Sequence, residues 1–194
     1  RDFCLSRGLG DVYKRQEPGK FDVMKEIMPN YEPPASSARG GQIDLEEYPI
    51  ILTTGRRIPV YFHSEHRQLP WCRELWPSPR FEMNPNDAAR LGIEQGDWIW
   101  VRTPWGAIRE VADLYYGIKE GTTNANHAWW YPEMDHAAHG FELVGINCTM
   151  DKYAQCWICG ASQLRGNPMV VYKATEENLS LIHISEPTRQ AEIS

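Results

Sequence analysis

The chain has 194 residues, 42% of them hydrophobic, and a formal net charge of -6. That size and apolar content support one domain with a core. The acidic balance argues against a nucleic-acid partner, because such binders carry a basic face. No stretch reaches the roughly 18 consecutive apolar residues that a membrane span needs.

Residues 1–16 show neither apolar periodicity nor the apolar segment of a signal peptide. Residues 175–194 are equally unpatterned. Both are expected to be non-native or disordered ends, and the pieces DVYKRQ and LIHISEPTRQAEIS resemble translated sequencing-adapter read-through. The text between them starts and stops abruptly, as a fragment would. Residues 17–47 carry Pro18, Pro29, Pro33 and Pro34, then Ser36, Ser37, Gly40 and Gly41, a composition that favours an extended connector. Within it, Phe21 to Met28 can form a short helix. The compact domain is expected over 48–174.

Tyr48 to Thr53 reads as a buried strand and Val60 to Phe62 as a second short one. Arg73 to Trp76 reads as a helical turn stopped by Pro77. Phe81 to Met83 is strand-like. A capped helix follows: Asn84 as N-cap, Pro85 at the first helical position, Ala88, Ala89 and Leu91 as helix formers, Gly92 as the stop. Trp98 to Thr103 and Ala107 to Leu114 form a hairpin about Pro104-Trp105-Gly106. Thr122 to Ala125 and Met169 to Lys173 are two further strands. Trp129 to Asn147 reads as loop. Many short strands, one capped helix and close turns, with 14 prolines and 15 glycines, predict an all-β barrel with small helices.

The chemistry concentrates in Leu52 to Pro77, LTTGRRIPVYFHSEHRQLPWCRELWP. Gly55 lets backbone N–H groups approach an oxyanion, Thr53, Thr54 and Ser64 donate from short side chains, and Arg56 and Arg67 can fork onto phosphate oxygens. His63 can donate to the same ligand. A net acidic chain can bind an anion here because the relevant field is local. Taken alone, the TGR triplet equally describes a strand that ends in a surface arginine.

The order TTGR, a short spacer, then HSEHR resembles the C-terminal domain of the molybdopterin oxidoreductases, the dimethyl sulfoxide reductase family. So does NPNDAARLGIEQGDWIWVRTPWG, which is similar to that family's barrel signature. The resemblance covers Tyr48 to Ala174 and implies a double-psi β-barrel. It implies that the barrel binds molybdopterin guanine dinucleotide, carrying molybdenum or tungsten, through Thr53, Thr54, Gly55, Arg56, His63, Ser64 and Arg67. Asn147 is implied as a further contact and Asn124 as a weaker one. An iron–sulfur cluster is expected in the missing N-terminal part of the parent enzyme. The implied partners are the remaining domains of that enzyme, with an electron-transfer subunit as a further candidate. The fragment alone would hold no catalytic residue and no complete active site. YFHSEHRQLPWCRELWP and HAWWYPE are similar to an acetylene hydratase-like and catechol dehydroxylase-like branch, which implies reductive or dehydroxylating chemistry in an anaerobe.

Two other readings stand beside this one. A Trp-rich carbohydrate-binding domain would use Trp98, Trp100, Trp105, Trp129 and Trp130 as a stacking face. A small zinc hydrolase would be built on His127, His136 and His139, although no metal motif accompanies them. Cys156 and Cys159 form a lone CxxC, read as two thiols because a cluster or zinc site needs four ligands.

Overall fold

The computed structural model describes residues 43–55, 58–151, 162–175 and Asn178. Arg56, Cys156, Cys159 and the short helix expected over Phe21 to Met28 lie outside the described residues.

Six strands close into a barrel: β1 (Ile50–Thr54), β2 (Arg80–Met83), β3 (Trp98–Thr103), β4 (Gly106–Leu114), β5 (Thr122–Ala125) and β6 (Asn167–Lys173). Their order around the barrel is β1-β5-β2-β4-β3-β6. Two pairs are parallel, β1 with β5 and β2 with β4; the other four are antiparallel. A parallel pair cannot be closed by a tight turn, so the chain must cross the barrel between its members. This is a mainly β fold, the double-psi β-barrel, with short helices in the crossings.

Alternation sets what faces inward. Ile50 and Leu52 of β1, Phe81 and Met83 of β2, Ile99 and Val101 of β3, Ile108 and Ala112 of β4, and Met169 and Val171 of β6 share one buried cluster. Helix α1 spans Pro70–Leu75 and α2 spans Pro85–Leu91. The α2 caps form as expected: the Asn84 side chain accepts from Asn86 N at 2.9 Å, and Gly92 ends the helix at φ 66°. Ile93 then returns its N–H to Ala88 O at 2.9 Å, which seats Ile93 in the core.

Two expectations change. Val60 to Phe62 is not a strand; Ile58 and Tyr61 instead join a second buried cluster with Cys72, Trp129 and Val144. Apolar contact outside the barrel satisfies these residues without a ladder. The stretch from Trp129 to Asn147 is not all loop, since it contains α3 (Phe141–Val144) and the start of a 3-10 helix (Ile146–Thr149).

The registers gather several connections at one rim. Parallel pairing ends β1 and β5 together, Thr54 opposite Ala125. Antiparallel pairing starts β6 there, with Asn167 opposite Leu52. The β3–β4 turn and the start of β2 lie at the same rim, because Arg102 pairs with Val170 and Phe81 with Ala125. The opposite rim carries α2 and the turns around it.

Candidate functional site

At the shared rim the chain leaves β1 through Thr53, Thr54 and Gly55. Both hydroxyls are directed across the parallel ladder: Thr53 Oγ1 donates to Thr123 O at 2.6 Å, and Thr54 Oγ1 to Ala125 O at 3.2 Å. They tie β1 to β5, and the proton of each is used inside the barrel. Gly55 is exposed with φ 103°, a conformation that side chains rarely adopt. Its missing Cβ would stand 3.7 Å from Arg165 Nη2. Arg165 itself is exposed, just ahead of β6, where Gly166 N donates to Leu52 O at 3.0 Å. Its guanidinium has no hydrogen-bond or ion-pair partner among the described residues. The sequence offered no local signal for this residue. Only the β1–β6 register brings it beside Gly55.

Two loops stand above the rim, one following β1 and the other following β5. The four non-glycine residues with positive φ among the described residues all fall in them: His63 (49°) and His66 (72°) in the first, Ala128 (57°) and His139 (46°) in the second. Backbone strain of this kind persists only where the surroundings over-determine it, and it gathers at functional sites. The His63 ring is exposed and stands 5.4 Å from that of His127 in an edge arrangement. Ser64 is exposed as well, and its carbonyl accepts from Trp130 Nε1 at 2.6 Å, which pins one loop to the other.

Arg67 takes a different place from the one its charge suggested. Its residue has no solvent exposure. The guanidinium lies over the Tyr61 ring at 3.8 Å and near the Trp129 ring at 4.6 Å. It donates to Glu65 O at 3.1 Å and Ala128 O at 3.4 Å, so it too joins the two loops. Burial lowers its pKa to about 10. In this arrangement it presents no surface to a ligand.

Asn147 is exposed on the 3-10 helix, at the same rim, since the backbone of Cys148 lies against Gly106 in the β3–β4 turn. Asn124 points elsewhere: its Nδ2 donates to Glu82 Oε2 at 3.0 Å along β2. Asn126, just past β5, accepts from both Trp76 Nε1 (3.1 Å) and Arg80 N (2.8 Å) through Oδ1.

The rival readings lose their geometric basis. Trp100 and Trp129 are buried, so the tryptophans make no common stacking face. Among the described residues, no three His, Cys, Asp or Glu side chains stand close enough to hold a metal ion. His136 faces Glu142 at 3.5 Å while the His139 Nδ1 lies 2.6 Å from Met134 O.

The rim thus collects a glycine-only turn, an exposed guanidinium, two histidines and an exposed amide, a set suited to holding an anionic, hydrogen-bonding ligand. A family model described as "Molydopterin dinucleotide binding domain" matches residues 50–157. Dopamine dehydroxylase of Eggerthella lenta is 59% identical over 196 residues, covering 91% of this chain and 19% of that protein. Acetylene hydratase of Syntrophotalea acetylenica is 32% identical over 108 residues, covering 56% of this chain and 15% of that protein. Among solved structures, acetylene hydratase from Pelobacter acetylenicus matches with a TM-score of 0.67 at 27% identity, over 76% of this chain and 21% of that one. The chain therefore spans between 15% and 21% of the length of these relatives.

Proposed function

This chain belongs to the molybdopterin dinucleotide binding domain family of the molybdopterin oxidoreductases, and we propose that the rim shared by β1, β5 and β6 is where its cofactor rests. The cofactor in this reading is molybdopterin guanine dinucleotide. Gly55 and the backbone around it, Arg56, Arg165, His63, Ser64 and Asn147 contact it directly. Thr53, Thr54 and Arg67 act from behind, by fixing the strands and loops that carry those groups. When bound, the molybdenum or tungsten supplies two-electron chemistry; the protein supplies position, orientation and field.

The single observation that carries this reading is the turn at Gly55, where a backbone open only to glycine lies beside an exposed guanidinium. A side chain at Gly55 would strain the turn, and the space beside it suits an oxyanion that neutralises the arginine. The residues present fit the group.

For the parent enzyme we infer reductive dehydroxylation of a hydroxylated aromatic substrate, supported by the 59% identity to dopamine dehydroxylase. An iron–sulfur cluster elsewhere in that enzyme, and an electron-transfer partner, would deliver the electrons that such a reduction consumes.

The test uses the intact enzyme. Arg56→Ala and Gly55→Ala should each lower bound molybdenum or tungsten, together with the guanine nucleotide released on acid hydrolysis. Wild-type metal and guanine content in both variants would remove this rim as the seat of the cofactor.

A further inference from the structure

The inward row of β4 reads Ile108, Glu110, Ala112, and none of the three has any solvent exposure. A carboxyl therefore stands inside the barrel where alternation places apolar side chains, directly opposite Ile99 of β3. Its Oε2 accepts the Asn126 N–H at 3.2 Å, a donor shared with Arg80 O at 3.1 Å. Its Oε1 is buried without a hydrogen-bond partner among the described residues. Asn126 is the first residue after β5, and its side chain already holds Trp76 and the start of β2. His127 and the positive-φ Ala128 follow it directly.

We propose that Glu110 is a positioning residue for the cofactor site: from inside the barrel its carboxyl holds the end of β5, and so sets where the loop of His127 to Trp130 lies against the loop of His63. This rests on the reading of the rim as the cofactor seat. The geometry favours a neutral acid in this role. An ionised carboxylate would be a buried charge without a cation, a state that proteins avoid by keeping the proton. The charged and titratable groups nearby do not answer it. Arg80, on β2, is ion-paired with Asp113 at 3.6 Å and stacked 3.9 Å from Trp76. Arg109, next on β4, lies over Trp100. Tyr131, from the β5 loop, has its pKa raised to about 12, chiefly by burial, with Glu110 a lesser contributor. None of the three bonds to Glu110. Burial raises the Glu110 pKa well above the ordinary carboxylate range, and the Asn126 N–H offsets only part of that.

The sign of the consequence follows. At pH below the ordinary carboxylate range, folded and unfolded chains both hold the proton and Glu110 costs nothing. As pH rises above that range, the unfolded chain releases its proton while the folded chain keeps it, so stability falls until the folded pKa is passed. Glu110→Gln keeps the size and an acceptor for Asn126 but cannot ionise. Glu110→Leu keeps the volume and removes the acceptor.

In the intact enzyme, thermal stability and metal retention would be measured across pH for the wild type and both variants. Wild type and Glu110→Gln should coincide only below the ordinary carboxylate range. Above that range the wild type should lose stability with rising pH relative to Glu110→Gln, until the folded pKa is passed. Glu110→Leu should lose metal about tenfold faster than wild type at acidic pH, the equivalent of one hydrogen bond holding the loop. Equal pH slopes for wild type and Glu110→Gln, or wild-type metal retention in Glu110→Leu, would overturn the proposal. If Glu110→Leu fails to fold, the comparison of slopes with Glu110→Gln still decides. Guanine and metal content of Gly55→Ala separates the two readings: wild-type content there rejects the cofactor seat, whereas the slope of stability tests the buried acid by itself.

Discussion

The Arg67 guanidinium lies 3.8 Å from the centroid of the Tyr61 ring, and the pair joins the loop after β1 to the loop after β5 through Trp129. Tyr61 also donates from its hydroxyl to Trp76 O at 2.7 Å, so three segments of chain meet at this stack. No carboxylate pairs with Arg67 among the described residues; aromatic faces and two carbonyls stand in for water. A desolvated cation–π contact contributes about 2 kcal/mol.

This arrangement predicts an unusual order of substitution. Arg67→Lys keeps the charge but loses the planar fork, and should loosen the loops by about 2 kcal/mol. Arg67→Met keeps the volume and removes a costly buried charge, so it should be tolerated better than Arg67→Lys. Arg67→Ala leaves a cavity and should be worst. Amide hydrogen exchange over 58–76 and 126–140 reads this locally, without requiring two-state unfolding of a large enzyme. An order in which Lys outperforms Met would mean that the charge itself is needed.

Gly106 should be less replaceable than Gly92, although only Gly92 has a positive φ. A Cβ on Gly106 would stand 2.2 Å from Cys148 O, a backbone atom held by the 3-10 helix. At Gly92, φ is 66° but nothing lies within 4 Å, so alanine there meets only local strain. Gly92→Ala should cost on the order of 1 kcal/mol, and Gly106→Ala should cost about 3 kcal/mol or displace the 3-10 helix with Asn147. Melting temperatures in reversed order would show that the turn can shift away from that helix.

Asp97 gives the fold an acid-sensitive tie. Lys173 Nζ lies 2.8 Å from its Oδ2, and Glu94 N donates to the same oxygen at 2.8 Å. Lys173, then the Glu94 N–H, lower its pKa below the usual carboxylate value. A depressed carboxyl stabilises the fold above its unfolded pKa, and that contribution is lost as pH falls through the folded pKa. Asp97→Asn should therefore be less stable than wild type at neutral pH and converge with it in acid. Parallel stability curves from neutral to acidic pH would show that Lys173 contributes nothing through this contact.

What could be read from the sequence was what local chemistry decides. The Asn84 cap, the Gly92 stop and the hairpin about Gly106 depend on neighbours a few residues away, and the structure has them. Burial of Arg67 depends on Trp129, far along the chain, so its charge suggested a ligand contact. Arg165 beside Gly55 depends on the β1–β6 register, which no local pattern encodes. Glu110 was different: its place in the row Ile108, Glu110, Ala112 was legible from alternation, and that signal would have marked it as an inward carboxyl.

Arg165 offers the sharpest test of the cofactor seat, because its removal should touch binding and little else. It is exposed, its guanidinium has no partner among the described residues, and it borders a turn that only glycine can form. A surface group of this kind has little effect on folding when replaced. If it meets a phosphate, Arg165→Ala removes a charge-assisted contact of about 1.5–3 kcal/mol. Arg165→Lys retains the charge without the bidentate fork and should fall between Ala and wild type. Arg165→Glu places a carboxylate against the anion and should bind worst of the three. Guanine and metal content of the intact enzyme should therefore decline from wild type through Lys and Ala to Glu, with melting temperatures of the cofactor-free proteins unchanged. Full cofactor content in Arg165→Glu would show that this guanidinium faces solvent and not the dinucleotide.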